Sequence, residues 1–85
     1  MHMEEATLLQ TKVFRIISQL MSVPMESVND CSSPENMEKW DSFQHMNLVL
    51  ALEDEFKITF TDEEIFSVGN AGAIVAALRN QGVPA

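Results

Sequence analysis

Residues 40–56 read Trp40-Asp41-Ser42-Phe43-Gln44-His45-Met46-Asn47-Leu48-Val49-Leu50-Ala51-Leu52-Glu53-Asp54-Glu55-Phe56. Apolar residues recur in this segment at helical spacing, which predicts one helix capped by Asp41. Gln44 follows Asp41 by three residues, the spacing of a capping pair in which the carboxylate accepts from first-turn amides and the Gln44 side chain reaches back. Ser42 then lies at the positive end of the helix, where an attached phosphate is stabilised by about 0.3–1 kcal/mol.

One face of the predicted helix is continuous and apolar. Successive residues of a helix are rotated by about 100°, and this rotation places four large apolar side chains on a common stripe. They are Leu48, Val49, Leu52 and Phe56, with His45 at the edge of the stripe. We predict that this face packs in the core of the protein.

The opposite face mixes apolar and polar side chains and begins beside Ser42. Its apolar residues are Phe43, Met46 and Leu50, accompanied by the polar or acidic Asn47, Glu53 and Asp54. A second apolar stripe on a small protein is either more core or a docking surface for other proteins. Its position beside a serine at the helix start favours docking. The alternative is that these residues pack against a short third helix.

Two segments resemble the acyl carrier protein family in order and spacing: Asp41-Ser42-Phe43 and the acidic run 51–56 that ends in Phe56. The resemblance implies that Ser42 is esterified by 4'-phosphopantetheine, whose thiol holds acyl groups as thioesters. It also implies that the modifying transferase recognises the Asp41-Ser42 pair. The family often has glycine where this chain has Lys39 and leucine where it has Phe43, so the branch of the family stays open.

The role implied by the resemblance is that of a stand-alone carrier protein, which is modified by an enzyme but is not one itself. It presents acyl intermediates to partner enzymes of fatty-acid, polyketide or related biosynthesis. The expected partners are a phosphopantetheinyl transferase and acyl-transferring, condensing or acyl-activating enzymes with basic docking patches. Their expected contact surface is the mixed face described above.

The composition supports a small acidic protein. The chain has 85 residues, 46% of them apolar, and a formal charge of −8, and we predict one domain over residues 1–85. The five basic residues are scattered, so nucleic acid and anionic membranes are poor partners, whereas basic protein surfaces are good ones. No apolar run approaches the ~18 residues of a membrane span. We expect a cytoplasmic monomer whose residues 1–3 are disordered or added in cloning.

The rest of the pattern predicts an all-α bundle of three principal helices and one short one, with a long first loop. A first helix is predicted over residues 4–21 and a loop over 22–40, pinned across the bundle by Val23, Met25, Val28 and Met37. Thr61 and Glu64 form a capping box for a short helix that ends near Ser67. This helix is predicted to contribute Ile65 and Phe66 to the core. Asn70 is predicted to cap the last helix, which Gly82 and Pro84 end.

Two other functions are compatible with parts of this pattern. Ser42 and His45 are three residues apart and could form a nucleophilic pair of a small hydrolase, although nothing supplies an oxyanion hole or an acid to orient the imidazole. Partial burial of His45 is the favoured interpretation. The other alternative is an acidic helical protein-interaction module without a prosthetic group.

The remaining candidate residues are predicted to have a structural role or no role in the chemistry. Cys31 is the only cysteine and is interpreted as a bystander. One thiol and two distant histidines make no metal site, and the acidic residues match no calcium-binding loop. Trp40 is predicted to anchor the loop by packing, with contact to the prosthetic arm as the alternative.

Overall fold

A computed structural model describes residues 8–83 of the protein. This part of the chain is helical and contains no strand, which confirms the predicted bundle of three longer helices and one short helix with a long first loop. None of its helices is both long enough and apolar enough to span a bilayer. The helices are α1 (Leu8–Met21), α2 (Ser42–Phe56), α3 (Asp62–Ser67) and α4 (Ala71–Asn80).

The core forms where α1 packs against α2 and α4. Each of these helices buries one apolar stripe, and full burial of a large aliphatic side chain contributes about 1.5–3 kcal/mol to stability. The stripes consist of Leu9, Val13, Ile17 and Met21 on α1, of Leu48, Val49 and Leu52 on α2, and of Ile74, Val75 and Leu78 on α4. The predicted core face of α2 is therefore confirmed, with Phe56 half-buried at its end.

The first loop differs from its prediction in two respects. It contains a single 3₁₀ turn, Met25–Ser27, closed by a hydrogen bond from the Val28 amide to the Met25 carbonyl. Val28 and Met37 are buried as predicted, but Met25 is exposed and does not pin the loop. The reason is that the tight turn brings Val28 rather than Met25 against the bundle. The predicted start of the first helix at residues 4–7 and the predicted stop at Pro84 lie outside the described residues.

The same loop is fastened to the beginning of α4. The Ala71 amide donates to the Ser32 carbonyl and the Gly72 amide to the Asp30 carbonyl, both at 2.9 Å. The first amides of a helix have no acceptor within the helix, so the carbonyl groups of the loop take the place of water as their acceptors. The Asn70 side chain accepts from the Ala73 amide and completes the predicted cap. The path of the long loop toward α2 is therefore held by backbone hydrogen bonds.

The connection from α2 to α3 is held in a similar way. Glu53 Oε2 accepts from the Phe60 amide at 2.8 Å, and Phe60 is buried. Thr61 Oγ1 accepts from the Glu64 amide while Glu64 Oε1 accepts from the Thr61 amide, so the predicted capping box is confirmed. These bonds hold the segment between the two helices and so set the direction of the short helix α3 relative to α2.

The prediction that Phe66 contributes to the core is wrong. Ile65 packs against the core, whereas Phe66 is 86% exposed. Neighbouring helical residues point about 100° apart, and a helix as short as α3 presents only one side to the bundle. The side chain of Phe66 consequently faces solvent beside α2.

The end of α2 generates a prediction about stability. Lys57 has φ 57° and ψ 48°, a left-handed conformation that costs a residue with a side chain about 1–2 kcal/mol. Because glycine avoids most of this strain but loses more chain entropy on folding, we expect Lys57→Gly to raise the free energy of unfolding by about 0.5–1 kcal/mol. Urea denaturation followed by circular dichroism measures the change.

The matched control is Lys12→Gly, an exposed lysine inside α1. There glycine should lower the free energy of unfolding by about 1 kcal/mol, because the backbone is already right-handed and helical. A loss of stability in both variants would contradict the strain assigned to Lys57.

Candidate functional site

The site is built around the first turn of α2. The helix begins at Ser42, and Asp41 Oδ1 accepts from the Gln44 amide at 2.9 Å, which is the predicted cap. The predicted return bond from the Gln44 side chain is wrong: its Nε2 donates to the Leu20 carbonyl at 3.0 Å. Leu20 lies in the last turn of α1, whose carbonyls have no partner within the helix, so this bond satisfies one of them. The start of α2 is thereby tied to the end of α1.

Ser42 and Asp41 are both exposed. Ser42 is the first residue of a helix of 15 residues, so its side chain lies where the helix dipole favours a negative group. Asp41, by contrast, is engaged through one carboxylate oxygen in capping the helix. An enzyme approaching from solvent can reach both side chains without any movement of the core.

His45 joins three parts of the structure. Its Nδ1 is 3.0 Å from Trp40 Nε1 and its Nε2 is 2.9 Å from the Ile65 carbonyl oxygen. An indole nitrogen can only donate, so Nδ1 accepts, and the ring proton is assigned to Nε2, which donates to the carbonyl. The planes of the imidazole and the indole lie within 20° of each other, with the ring centroids 6.1 Å apart. The loop before α2, α2 itself and α3 are linked through this one ring.

These two hydrogen bonds bear on the hydrolase alternative. A general base for Ser42 needs a ring nitrogen that is free to accept the hydroxyl proton. Nδ1 of His45 already accepts from Trp40, and Nε2 carries the proton it donates to Ile65. The half-buried His45 therefore holds the structure together and is not arranged to activate Ser42. Trp40 is buried, as expected of a packing anchor.

A groove of about 480 Å³ runs beside Ser42, between the first turn of α2, the end of α3 and the long loop. Its walls combine Ser42 with apolar side chains from all three elements. The residues that line it are Pro34, Trp40, Asp41, Ser42, His45, Met46, Phe66 and Gly69. The sequence pattern predicts Phe66 in the core, whereas it lines this groove. The shortness of the segment between Thr61 and Gly69 was the signal that only one of Ile65 and Phe66 could be buried.

A neighbouring groove of about 590 Å³ shares Pro34 and Gly69 with the first. It is lined mainly by polar residues of the loop, and it contains the exposed Cys31 but not Ser42. Within residues 8–83, no three side chains of histidine, cysteine, aspartate or glutamate cluster so that they could hold a metal ion.

The residues of the predicted docking face have different surroundings. Phe43, Met46 and Leu50 are exposed by 74%, 44% and 59%, so they do not pack against α3 in the manner of a second core face. Asp54 is exposed as well. Two polar members are half-buried and already bonded: Asn47 to the Gln44 side chain, and Glu53 to the Phe60 amide.

Comparison with protein families identifies the class of protein. The family model described as the phosphopantetheine attachment site matches residues 11–78, which include all of α2 and α3 and most of α1 and α4. A comparison with curated proteins finds no match. The chain belongs to the phosphopantetheine attachment family, whose members are carriers with 4'-phosphopantetheine bound covalently to a serine.

The residues around the first turn of α2 fit such a group. An exposed serine at a helix start can form a phosphoester, and the adjoining groove leaves room for a chain that extends from it. When bound, the group supplies a thiol that can carry an acyl group.

The His45 bridge leads to a prediction about stability. His45→Leu removes the acceptor of the buried Trp40 indole, and an unsatisfied buried donor costs about 1–3 kcal/mol. We expect the free energy of unfolding to fall by about that amount. Urea titration read out by the fluorescence of Trp40, the only tryptophan, measures the fall.

Met46→Leu serves as the control, because Met46 is the next residue of the helix, is exposed, and keeps its volume in leucine. Its effect should stay within about 0.5 kcal/mol. If His45→Leu also stayed within that range, the bridge would not be important for the fold.

Proposed function

We propose that Ser42 is the serine that carries the 4'-phosphopantetheine arm, and that the protein delivers acyl intermediates to enzymes of fatty-acid, polyketide or related biosynthesis. The observation that carries this proposal is the exposed position of Ser42 as the first residue of α2, within the segment that matches the family. The protein holds its cargo and leaves the chemistry to its partners. The engagement of both nitrogens of His45 supports this division of roles.

The position of Ser42 also suits the charge of the phosphate. The helix dipole favours a negative group in the first turn by about 0.3–1 kcal/mol. Asp41 brings a second negative charge to the same turn. The hydrogen bond that its carboxylate accepts from the Gln44 amide partly offsets that charge. A rigid first turn, fixed by Asp41 on one side and by the Gln44 bond to α1 on the other, presents the serine in one orientation.

The attachment site is tested by mass spectrometry after incubation with a phosphopantetheinyl transferase and coenzyme A. The wild type should gain the mass of one phosphopantetheine and Ser42→Ala should gain none. Ser67→Ala, which alters another exposed serine close to the groove, should be modified like the wild type. An unmodified wild type with several broad transferases would instead favour an acidic interaction module without a prosthetic group.

Asp41 is proposed to have two functions, as a helix cap and as a residue that the transferase reads. Asparagine caps a helix about as well as aspartate, so Asp41→Asn should leave stability nearly unchanged while Asp41→Ala lowers it by ~1 kcal/mol. Loss of a charged hydrogen bond to the enzyme should slow the modification of Ser42 roughly tenfold or more in both variants. Normal modification of Asp41→Asn would show that only the cap matters.

We further propose that partner enzymes dock on the face of α2 that carries Phe43, Met46, Asn47, Leu50, Glu53 and Asp54, of which Asn47 and Glu53 are half-buried. Exposed apolar side chains flanked by acidic ones fit a partner surface with a basic rim and a shallow apolar centre. The formal charge of −8 favours attraction toward such a surface. Such contacts suit brief binding to several enzymes, because charges at the rim of an interface raise the association rate more than the affinity.

Asp54 is a better residue than Glu53 for testing this face, because Glu53 also holds the connection to α3 through the Phe60 amide. Asp54→Lys should lower kcat/KM of the transferase, and the loss should shrink in high salt, since charges are screened beyond about 10 Å at 0.1 M. Glu26→Lys changes the net charge equally at an exposed position in the 3₁₀ turn and should have a smaller effect. Equal losses in both variants would indicate general charge attraction without a docking face.

A further inference from the structure

The first turn of α2 extends beyond the apolar core of the bundle. Residues 42–47 are exposed or half-buried, and the first buried side chain of the helix is that of Leu48. At a rise of about 1.5 Å per residue, Ser42 stands roughly 9 Å beyond this first core contact. Apolar packing therefore does not hold Ser42 directly, and the polar contacts of the first turn determine where its hydroxyl lies.

The cap of the helix holds the shape of this turn but not its place in the bundle. Asp41 and the Gln44 amide belong to the same turn, so the bond between them moves with it. Two side chains of the turn form bonds to other helices. His45 bonds to the Ile65 carbonyl of α3, and Gln44 donates to the Leu20 carbonyl of α1. Gln44 consequently holds the turn on the side that faces α1.

Both ends of the Gln44 side-chain amide are used. Its Nε2 donates to the Leu20 carbonyl at 3.0 Å, and its Oε1 accepts from Asn47 Nδ2 at 3.0 Å. A backbone carbonyl can only accept, so the orientation of the amide is set. Asn47 lies one turn further along α2 and keeps the Gln44 side chain directed toward α1. A chain of two hydrogen bonds thus connects the proposed docking face with the end of α1.

We propose that Gln44 is a positioning residue for the modification of Ser42, and that Asn47 acts on this reaction through Gln44. The inference rests on the proposed attachment at Ser42 and adds the residues that hold the reacting oxygen in place. In the reaction, Ser42 Oγ forms a bond to the phosphorus of coenzyme A that bears the pantetheine. The bond from this phosphorus to adenosine 3',5'-bisphosphate breaks, and the hydroxyl proton passes to a base of the transferase.

The expected effect of the Gln44 bond is on kcat. One hydrogen bond favours a single orientation by about two- to tenfold, and without it the turn spends less time with Ser42 Oγ aligned for attack. In the enzyme complex, kcat falls in proportion to the aligned fraction. The side chains proposed to dock on the enzyme stay unchanged, so KM should stay nearly constant. A residue that contributes binding alone would instead raise KM.

The experiment measures kcat and KM of a phosphopantetheinyl transferase with coenzyme A while the concentration of the protein is varied. Gln44→Met keeps the length of the side chain and removes its donor and acceptor. We expect kcat to fall by about two- to tenfold, with KM changed by less than about twofold. Gln44→Asn keeps the amide but is one methylene too short to reach Leu20, so it should lose as much. The control is Gln19→Met, which alters an exposed glutamine beside Leu20 in α1 and should keep both constants.

A double-mutant cycle tests the role of Asn47. Asn47→Leu leaves the Gln44 bond to α1 in place but removes the donor that directs it, so kcat should fall less than in Gln44→Met. When both substitutions are combined, kcat should fall no further than in Gln44→Met alone, because Asn47 acts through the same side chain.

Circular dichroism and the fluorescence of Trp40 establish that each variant is folded at the assay temperature, so reduced stability does not account for a lower kcat. If Gln44→Met does not fold, Gln44→Asn carries the test.

The inference would be overturned by an unchanged kcat in the Gln44 variants, by an equal fall in Gln19→Met, or by a change in KM alone. A further fall in the double variant would overturn the role of Asn47. Failure of the transferase to modify the wild type, or modification of Ser42→Ala, is a different result. It would overturn the proposed attachment at Ser42, and with it the inference.

Discussion

The arrangement of the site depends on the hydrogen bonds of one imidazole. His45 accepts from the buried Trp40 indole and donates to the Ile65 carbonyl, which joins the long loop, α2 and α3. Water cannot easily replace the acceptor of the Trp40 indole, because Trp40 is buried. An indole left without an acceptor there would cost more free energy than its hydrogen bond contributes. The distance between α2 and α3, and with it the width of the groove, follows from this bridge.

The second constraint is the division of α2 into a buried and an exposed side. Leu48, Val49 and Leu52 fix the helix in the core, while the Gln44 bond to the end of α1 fixes its first turn. The serine therefore sits on a rigid support although its own side chain is open to solvent. If Ser42 is the attachment point, as proposed, a fixed helix start presents it to partner enzymes with no change in the fold. The exposed side of the same helix remains available for proposed contacts with those enzymes.

Much of this could be predicted because it is local. The Asp41 cap, the Thr61–Glu64 capping box and the Asn70 cap each involve residues a few positions apart, and each forms as the sequence indicated. The predictions that were wrong depend on how segments far apart in the chain pack together. Gln44 bonds to Leu20, 24 residues earlier, in place of its own helix cap. Met25 and Phe66 are apolar, but the backbone around them directs both to solvent.

The sequence by itself determined the helices, their caps and the family, because these depend on short-range hydrogen bonds and on the spacing of apolar residues. It also placed Ser42 at a helix start. Only the tertiary structure decided what surrounds that serine: the bridge through His45, the exposure of Phe66, and the groove between α2, α3 and the loop. The physical reason is that these features arise from contacts between segments about 20 residues apart. Periodicity along one helix shows which residues share a face, but not which neighbour that face meets.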